Sequence, residues 1–445
     1  MRGKDPNTVS VPKPLTSTIG ALRASHVRYT ILALICILYF LSYLDRTAIS
    51  VTAPAMIKEF HFNKATMGLV FSAFATTYAL LQIVGGAFGD RFGPRAVLSF
   101  LMAMWSVFTV ATGAAVNFFT LFTARLLFGV GEAGGFPVST RALASWFPKE
   151  VRGSLQGILH ACSRTGGAVS PVIVVAIVVG TGSWRYAFYI LGLLGIVWAI
   201  AFYVMYRNSP TDVPAVNAQE LDYIRDGTST TPADAPQQQA IPWGQILASP
   251  DVWLLTFAYF AYGYTFWVYL TWLPTYLTEA RHISFSGLAL AVTIPLAGGV
   301  PGDLVGGWLS DYIYKRTGNL NLARRWLIAG AFLGTVVFIL PAIYVGNVVA
   351  AIILLACAMF MLECAVSNCW AVAMDLGGQN FCGTTSAFMN TGFGVAGILS
   401  PPIFGILADR TGSWMAGFMI SSALLMLGAI AIAYVNATHQ VGQRV

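Results

Sequence analysis

The sequence predicts an all-α membrane protein, twelve transmembrane helices arranged as two pseudo-symmetric six-helix bundles. Three observations predict it. The first is composition: 57% of the 445 residues are hydrophobic, only 10% are charged, and the mean hydropathy is +0.70. A soluble chain carries about 25% charged residues, so this chain has the bilayer as its solvent. The second is a recurrence of apolar stretches long enough to cross a membrane. The third is an internal repeat that relates the second half of the chain to the first.

The apolar stretches fall at 30–56, 66–88, 96–116, 118–146, 152–178, 184–206, 250–279, 284–310, 326–345, 348–374, 382–407 and 413–436. Residues 1–29 form a polar, basic tail. No short apolar segment with a small-residue cleavage site follows it, so the first long run reads as a permanent span rather than a secretory signal. Residues 30–206 make the first bundle and 250–436 the second, with a tail at 437–445. Between the bundles, 207–249 is rich in Pro, Ala, Gln, Asp and Thr and reads as a linker, with a short helix around AQELDYIRD.

The net charge is +7. In a membrane protein such an excess records topology rather than a nucleic-acid partner. With both termini in the cytoplasm, about 17 Lys and Arg lie on the inner side and about 5 outside, which is the favoured bias. The six cysteines lie in or beside apolar spans without metal-ligand or CxxC spacing, and read as small apolar filler. The expectation is a monomer in a bacterial inner membrane, with no cofactor beyond protons as coupling ions.

The repeat is read without a gap. GSLQGILHACSRTGGAVSPVI (153–173) matches GTTSAFMNTGFGVAGILSPPI (383–403), and TGSW recurs at 181–184 and 411–414. Glycines this dense in apolar helices permit close backbone approach. Paired six-helix repeats with a site near the midplane of their interface are a transporter architecture.

Charges in apolar spans mark the candidate site. Each costs at least about 2.5–3.5 kcal/mol at mid-membrane depth. Asp45 and Arg46 are adjacent in span 1, about 100° apart on a helix, so each faces a different partner. Arg125 and Glu132, seven apart in span 4, share a face. His160 and Arg164 share one in span 5, and Asn390 occupies the position equivalent to His160 in the second half. Arg46, Arg125 and Arg164 are fixed positive charges, for which Asp45, Glu132 and Glu363 can supply counter-charges. Protonating one carboxylate frees an arginine for an incoming anion, a physical route to coupling proton and anion movement. A purely structural ion-pair network between helices is the competing reading. Span 7, AYFAYGYTFWVYLTWLPTYL, carries an aromatic stripe that packing explains, from which Tyr262 or Trp267 could stack on a substrate. Asp375 reads as a helix-end or gate residue.

GGAFGDRFGPRAV (85–97), between spans 2 and 3, resembles the loop signature of the major facilitator superfamily through Gly86, Asp90, Arg91, Gly93 and Arg95. GGWLSDYIYKR (306–316), with Asp311, and GILADRTG (405–412) echo it. The resemblance implies the major facilitator fold and a gating role for Asp90, Arg91, Arg95 and Asp311. YLDR in span 1, the Arg125–Glu132 spacing and SWFPKEVRGS (145–154) further resemble the anion:cation symporter family, which includes bacterial galactonate, glucarate and hexuronate carriers, sialin and the vesicular glutamate transporters. That resemblance implies proton-coupled import of an organic anion, with Asp45 and Glu132 as the protonatable pair. It implies that Arg46 and Arg125 meet the substrate carboxylate or its gating partners. Tyr43 and Tyr78 would line the first half of the cavity, and Ser367, Trp370 and Asn390 would meet sugar hydroxyls from the second. Arg164 departs from the sugar-acid pattern. It suits a dicarboxylate or an aromatic acid, unless Glu363 neutralises it.

Other classes fit less well. The span-1 motif of aromatic-acid symporters is absent, and buried arginines suit a cationic drug poorly. An anion sensor built on a transporter scaffold would call for an added signalling surface. No nucleophile–base pair, metal cluster or nucleotide loop points to an enzyme.

Overall fold

The computed structural model describes residues 25–148, 151–226 and 243–439. The first half comprises α1 (Val27–Phe60), α2 (Lys64–Phe92), α3 (Pro94–Gly113), α4 (Phe118–Glu132), α5 (Gly135–Trp146), α6 (Arg152–Thr181) and α7 (Arg185–Met205). The linker contains α8 (Ala218–Asp226), over the AQELDYIRD segment, and α9 (Trp243–Ala248). The second half comprises α10 (Pro250–Glu279), α11 (Leu288–Thr317), the short α12 (Leu320–Ala323), α13 (Arg325–Tyr344), α14 (Val348–Thr411) and α15 (Met415–Tyr434).

Ten of the described segments are long and apolar enough to cross a membrane. The other two spans are the broken pair α4/α5 and the aromatic α10. Span 4 reads as one run in sequence, but its helix stops at Glu132 and restarts at Gly135, within the run of glycines. In α10, five tyrosines and three tryptophans depress the hydropathy of a helix that is nonetheless buried along most of its length. Spans 10 and 11 form one long helix, broken only at Gly378, where φ is 57°. Its limbs are Val348–Gly378 and Thr384–Thr411.

The repeat is carried into structure at a constant offset. Asn117 caps α4 by accepting a hydrogen bond from the Thr120 N–H, and Asn347 caps α14 from the Ala350 N–H in the same way. Such a cap stabilises a helix start by about 1 kcal/mol. Gly182 (φ 74°) ends α6 and Gly412 (φ 64°) ends α14, both in the left-handed conformation that glycine adopts without steric cost. Before each glycine a threonine hydroxyl, Thr181 or Thr411, donates back to the carbonyl four residues earlier at 2.7 Å.

Within the first half α1 packs on α6, α2 on α4 and α3 on α7; in the second, α10 and α11 pack on α14, and α13 on α15. Across the halves α1 meets α10, α2 meets the second limb of α14, and α6 meets α11. The last two contacts exchange under the pseudo-two-fold, so the interface itself follows the repeat. It is tight. A Cβ at Gly68 would lie 2.6 Å from the Pro401 carbonyl oxygen, and one at Gly405 would lie 2.4 Å from that of Lys64. Ser72 donates to the Ile398 carbonyl at 2.7 Å and Thr293 to that of Ala168 at 2.8 Å. The α2–α14 contacts run to the α1–α2 and α14–α15 turns, so the halves are closed together on the face opposite the chain termini.

Candidate functional site

Two clusters of charge lie within the helices. The first is built inside the first half. Ser42 and Arg46 are one turn apart on α1, and both reach Glu132 at the end of α4. The Ser42 hydroxyl donates to Oε1 of Glu132, and Arg46 Nε stands 2.9 Å from the same oxygen. Both charged side chains are nearly sealed from solvent. The Arg46 guanidinium sits against aromatic rings, 4.6 Å from the centroid of Tyr78, 4.9 Å from Tyr43 and 5.1 Å from Phe74. Rings at these distances attract a cation through their quadrupoles and leave its planar edge free for the carboxylate.

Asp45, turned away from Arg46 by the helical screw, lies within electrostatic reach of Glu132 and Arg125 and close to Trp105 on α3. Arg125 lies over the Phe128 ring at 4.1 Å and forms no ion pair within 4.0 Å among the described residues. Asp45 Oδ1, Arg125 Nε, Trp105 Nε1 and Glu132 Oε2 are buried without a hydrogen-bond partner. Beside them is a cavity of about 10 Å³ lined by Ser42, Trp105, Glu132 and Phe136, space for about one water molecule. The cluster thus holds two cations and two carboxylates, with unfilled bonding capacity on both carboxylates.

The second cluster bridges the halves. Arg164 of α6 places Nη2 2.8 Å from Oε2 of Glu363 on α14 and 3.4 Å from the Tyr262 hydroxyl of α10. Tyr262 in turn donates to Oε1 of Glu363 at 3.1 Å. The Arg164 guanidinium lies 4.9 Å from the Phe266 ring centroid. Asp303 of α11 acts electrostatically on Arg164, Glu363 and His160. Asp303 was not singled out from the sequence, although it is the lone carboxylate of span 8. Its position inside an apolar run was the available signal.

The remaining candidates are dispersed around these clusters. His160 is exposed, one turn from Arg164 on α6, and Asn390 is half-buried on the second limb of α14. Trp370 is about one-third exposed and donates from its indole to the Tyr259 hydroxyl at 2.9 Å. The Ser367 hydroxyl is buried beside Gly307 without a hydrogen-bond partner. Trp267 packs on Gly397 between α10 and α14, and its ring lies 6.1 Å from that of Phe74 on α2 across the halves, so it is core in this conformation.

Of the gating candidates, the side chain of Asp90 lies outside the described residues. Arg91 is exposed, over the Phe92 ring at 5.4 Å. Arg95 donates from Nε to the Tyr203 carbonyl at 2.8 Å, and its backbone N–H meets Asn208 Oδ1 at 3.0 Å. Asp311 is 3.8 Å from Arg324, which also approaches Asp375 at 3.7 Å. Arg95 and Asp311 are therefore engaged within their own halves.

A family model described as Major Facilitator Superfamily matches residues 35–401. The probable sulfoacetate transporter SauU of Cupriavidus necator is 45% identical over 92% of this chain and 94% of its own length. The D-galactonate transporter of Escherichia coli O6:H1 is 32% identical over 95% and 99%, and the hexuronate transporter of Bacillus subtilis 31% over 88% and 90%. Among solved structures, a bacterial homologue of the human lysosomal transporter Spinster, inward-facing and unoccupied, aligns over 92% of this chain and 95% of its own, with a TM-score of 0.73 and 19% identity.

Proposed function

The chain belongs to the major facilitator superfamily and is a multi-pass membrane transporter rather than an enzyme, and on that premise we propose that it imports a small organic anion together with protons by alternating access. The observation that carries the proposal is the Arg46–Glu132 pair at 2.9 Å, with Asp45 and Arg125 beside it. Breaking a buried ion pair by withdrawing one partner costs about 3–5 kcal/mol. A proton on a carboxylate and an anion at an arginine, arriving together, avoid that cost. Either one alone incurs it, and this is what couples the two movements.

In this reading Asp45 and Glu132 carry the proton, and Arg46 and Arg125 hold negative charge. Tyr43, Tyr78, His160, Arg164, Ser367, Trp370 and Asn390 contribute to the substrate site, and Asp90, Arg91, Arg95 and Asp311 to the cytoplasmic gate. The protein works as a monomer in a bacterial inner membrane with both termini in the cytoplasm. The closed face is then the outer one. The names of the relatives support an acid: one is a probable sulfoacetate carrier, and others are sugar-acid carriers. A sugar acid is the reading from sequence. The 45% relative favours including compact acids with two anionic groups, whereas Arg164 is neutralised by Glu363 in this conformation, as the sequence left open.

The test is uptake into proteoliposomes under an inward proton gradient, with sulfoacetate, galactonate, hexuronates, aldarates and aromatic acids. Accumulation of one acid that collapses with the gradient supports the proposal. Binding of an acid without movement would favour the sensor reading, and accumulation indifferent to the proton gradient would remove proton coupling.

A further inference from the structure

The bridging cluster has more negative than fixed positive charge. Arg164 is its one guanidinium, while Glu363 and Asp303 are both carboxylates. The groups facing Glu363 are Arg164 from α6, Tyr259 and Tyr262 from α10, Asp303 from α11 and, from its own helix, Cys364; His160 of α6 and Tyr43 of α1 face Arg164. An anionic ligand group placed on Arg164 would therefore crowd three negative charges around one cation. Asp303 is half-buried. The Glu363 side chain is 0% exposed and has no water into which to withdraw. A carboxylate in such a place sheds its charge when its counter-ion is taken away.

The pair is also built to be exchanged. Nη2 of Arg164 is 2.8 Å from Oε2 of Glu363, yet Oε2 accepts no aligned hydrogen bond. The guanidinium side is 14% exposed and the glutamate side is sealed, so a ligand reaches Arg164 from the solvent side. The Tyr262 hydroxyl touches both members and remains in place to bond whichever group occupies the arginine.

Resting on the function proposed above, we infer that Arg164 is the seat of a second anionic group of the substrate, with Glu363 the resident counter-ion that this group replaces and that takes up one proton from water as it is replaced. On release, Glu363 returns that proton to the inner solution and closes again on Arg164. The substrate class is thereby a dianion, and it carries one more proton than a monoanion of the same shape. This positions Glu363 as a coupling residue outside the Asp45–Glu132 cluster.

The experiment compares sulfoacetate with isethionate, which replaces the carboxylate by an alcohol, and galactarate with galactonate, using purified full-length protein. Affinity and proton uptake on binding, the latter by a pH-indicator dye in weakly buffered solution, are measured for each. At least one dianion is expected to bind about ten-fold or more tightly than its monoanion partner and to take up one further proton. Arg164→Gln should erase the preference, and Glu363→Gln should erase the extra proton while keeping the dianion bound. Equal proton uptake within both pairs, or a dianion preference that survives Arg164→Gln, overturns the inference. The wild-type proton count needs no variant, so a misfolded Glu363→Gln does not spare the idea. Monoanion transport without dianion preference overturns this assignment alone; absence of binding by every acid overturns the proposed function with it.

Discussion

Asp409 of α14 caps the first turn of α2, accepting the backbone N–H groups of Lys64 at 3.2 Å and Ala65 at 2.8 Å from the other half of the molecule. The Lys64 side chain returns toward the same carboxylate at 3.8 Å and toward Glu279 at 3.2 Å. A carboxylate at a helix N-terminus meets both unpaired N–H groups and the positive end of the helix dipole. The two halves are therefore latched where they close.

Asp409→Ala should weaken that latch by about 1–2 kcal/mol, the scale of a lost helix cap. That shifts the balance between the two faces about 5–30-fold toward opening at the α2–α14 face. Labelling of a cysteine placed at Ser413 by a membrane-impermeant thiol reagent should accelerate correspondingly. An unchanged labelling rate would mean that the cap does not hold the face closed.

Gly68 tests the same closure by volume. Its missing Cβ would lie 2.6 Å from the Pro401 carbonyl oxygen and 2.7 Å from Pro402 Cα, both backbone atoms that cannot rotate aside. Gly68→Val should wedge the halves apart at that face and reduce transport more than ten-fold, while detergent-solubilised protein stays folded by size-exclusion chromatography. Retained transport would place the working closure elsewhere.

Arg46→Lys keeps the charge and removes the planar fork. The guanidinium spans Glu132 on one edge and the Tyr43 and Tyr78 rings on its faces, a combination an ammonium does not reproduce. Uptake should fall by about ten-fold or more with expression unchanged. Near-normal uptake would reduce Arg46 to a point charge.

The twelve spans were legible because the bilayer enforces long apolar runs, and the two halves because SP and TGSW recur at one offset. Asn117 and Asn347 share that offset and cap equivalent helices, a signal that the glycine-rich match overshadowed. The break between Glu132 and Gly135 was hidden because an apolar run does not record where its backbone hydrogen bonds stop. Of the charges, Arg46 and Glu132 meet as opposite charges on facing helices can. That Arg164 closes on Glu363 depends on how α6 and α14 lie across the interface, which helical spacing within one span does not contain. Asp303 shows the same limit: its place in span 8 was visible, its neighbours were not.

In the proposed cycle Glu132 releases and recaptures Arg46 as it gains and loses a proton. The most direct measurement is uptake by Glu132→Gln in proteoliposomes, with and without an inward proton gradient, beside exchange of labelled for unlabelled substrate. Gradient-driven accumulation should be lost while exchange survives, because glutamine fills the space and bonds Ser42 without titrating. Accumulation at the wild-type level would contradict that cycle and leave Asp45 to carry the proton alone.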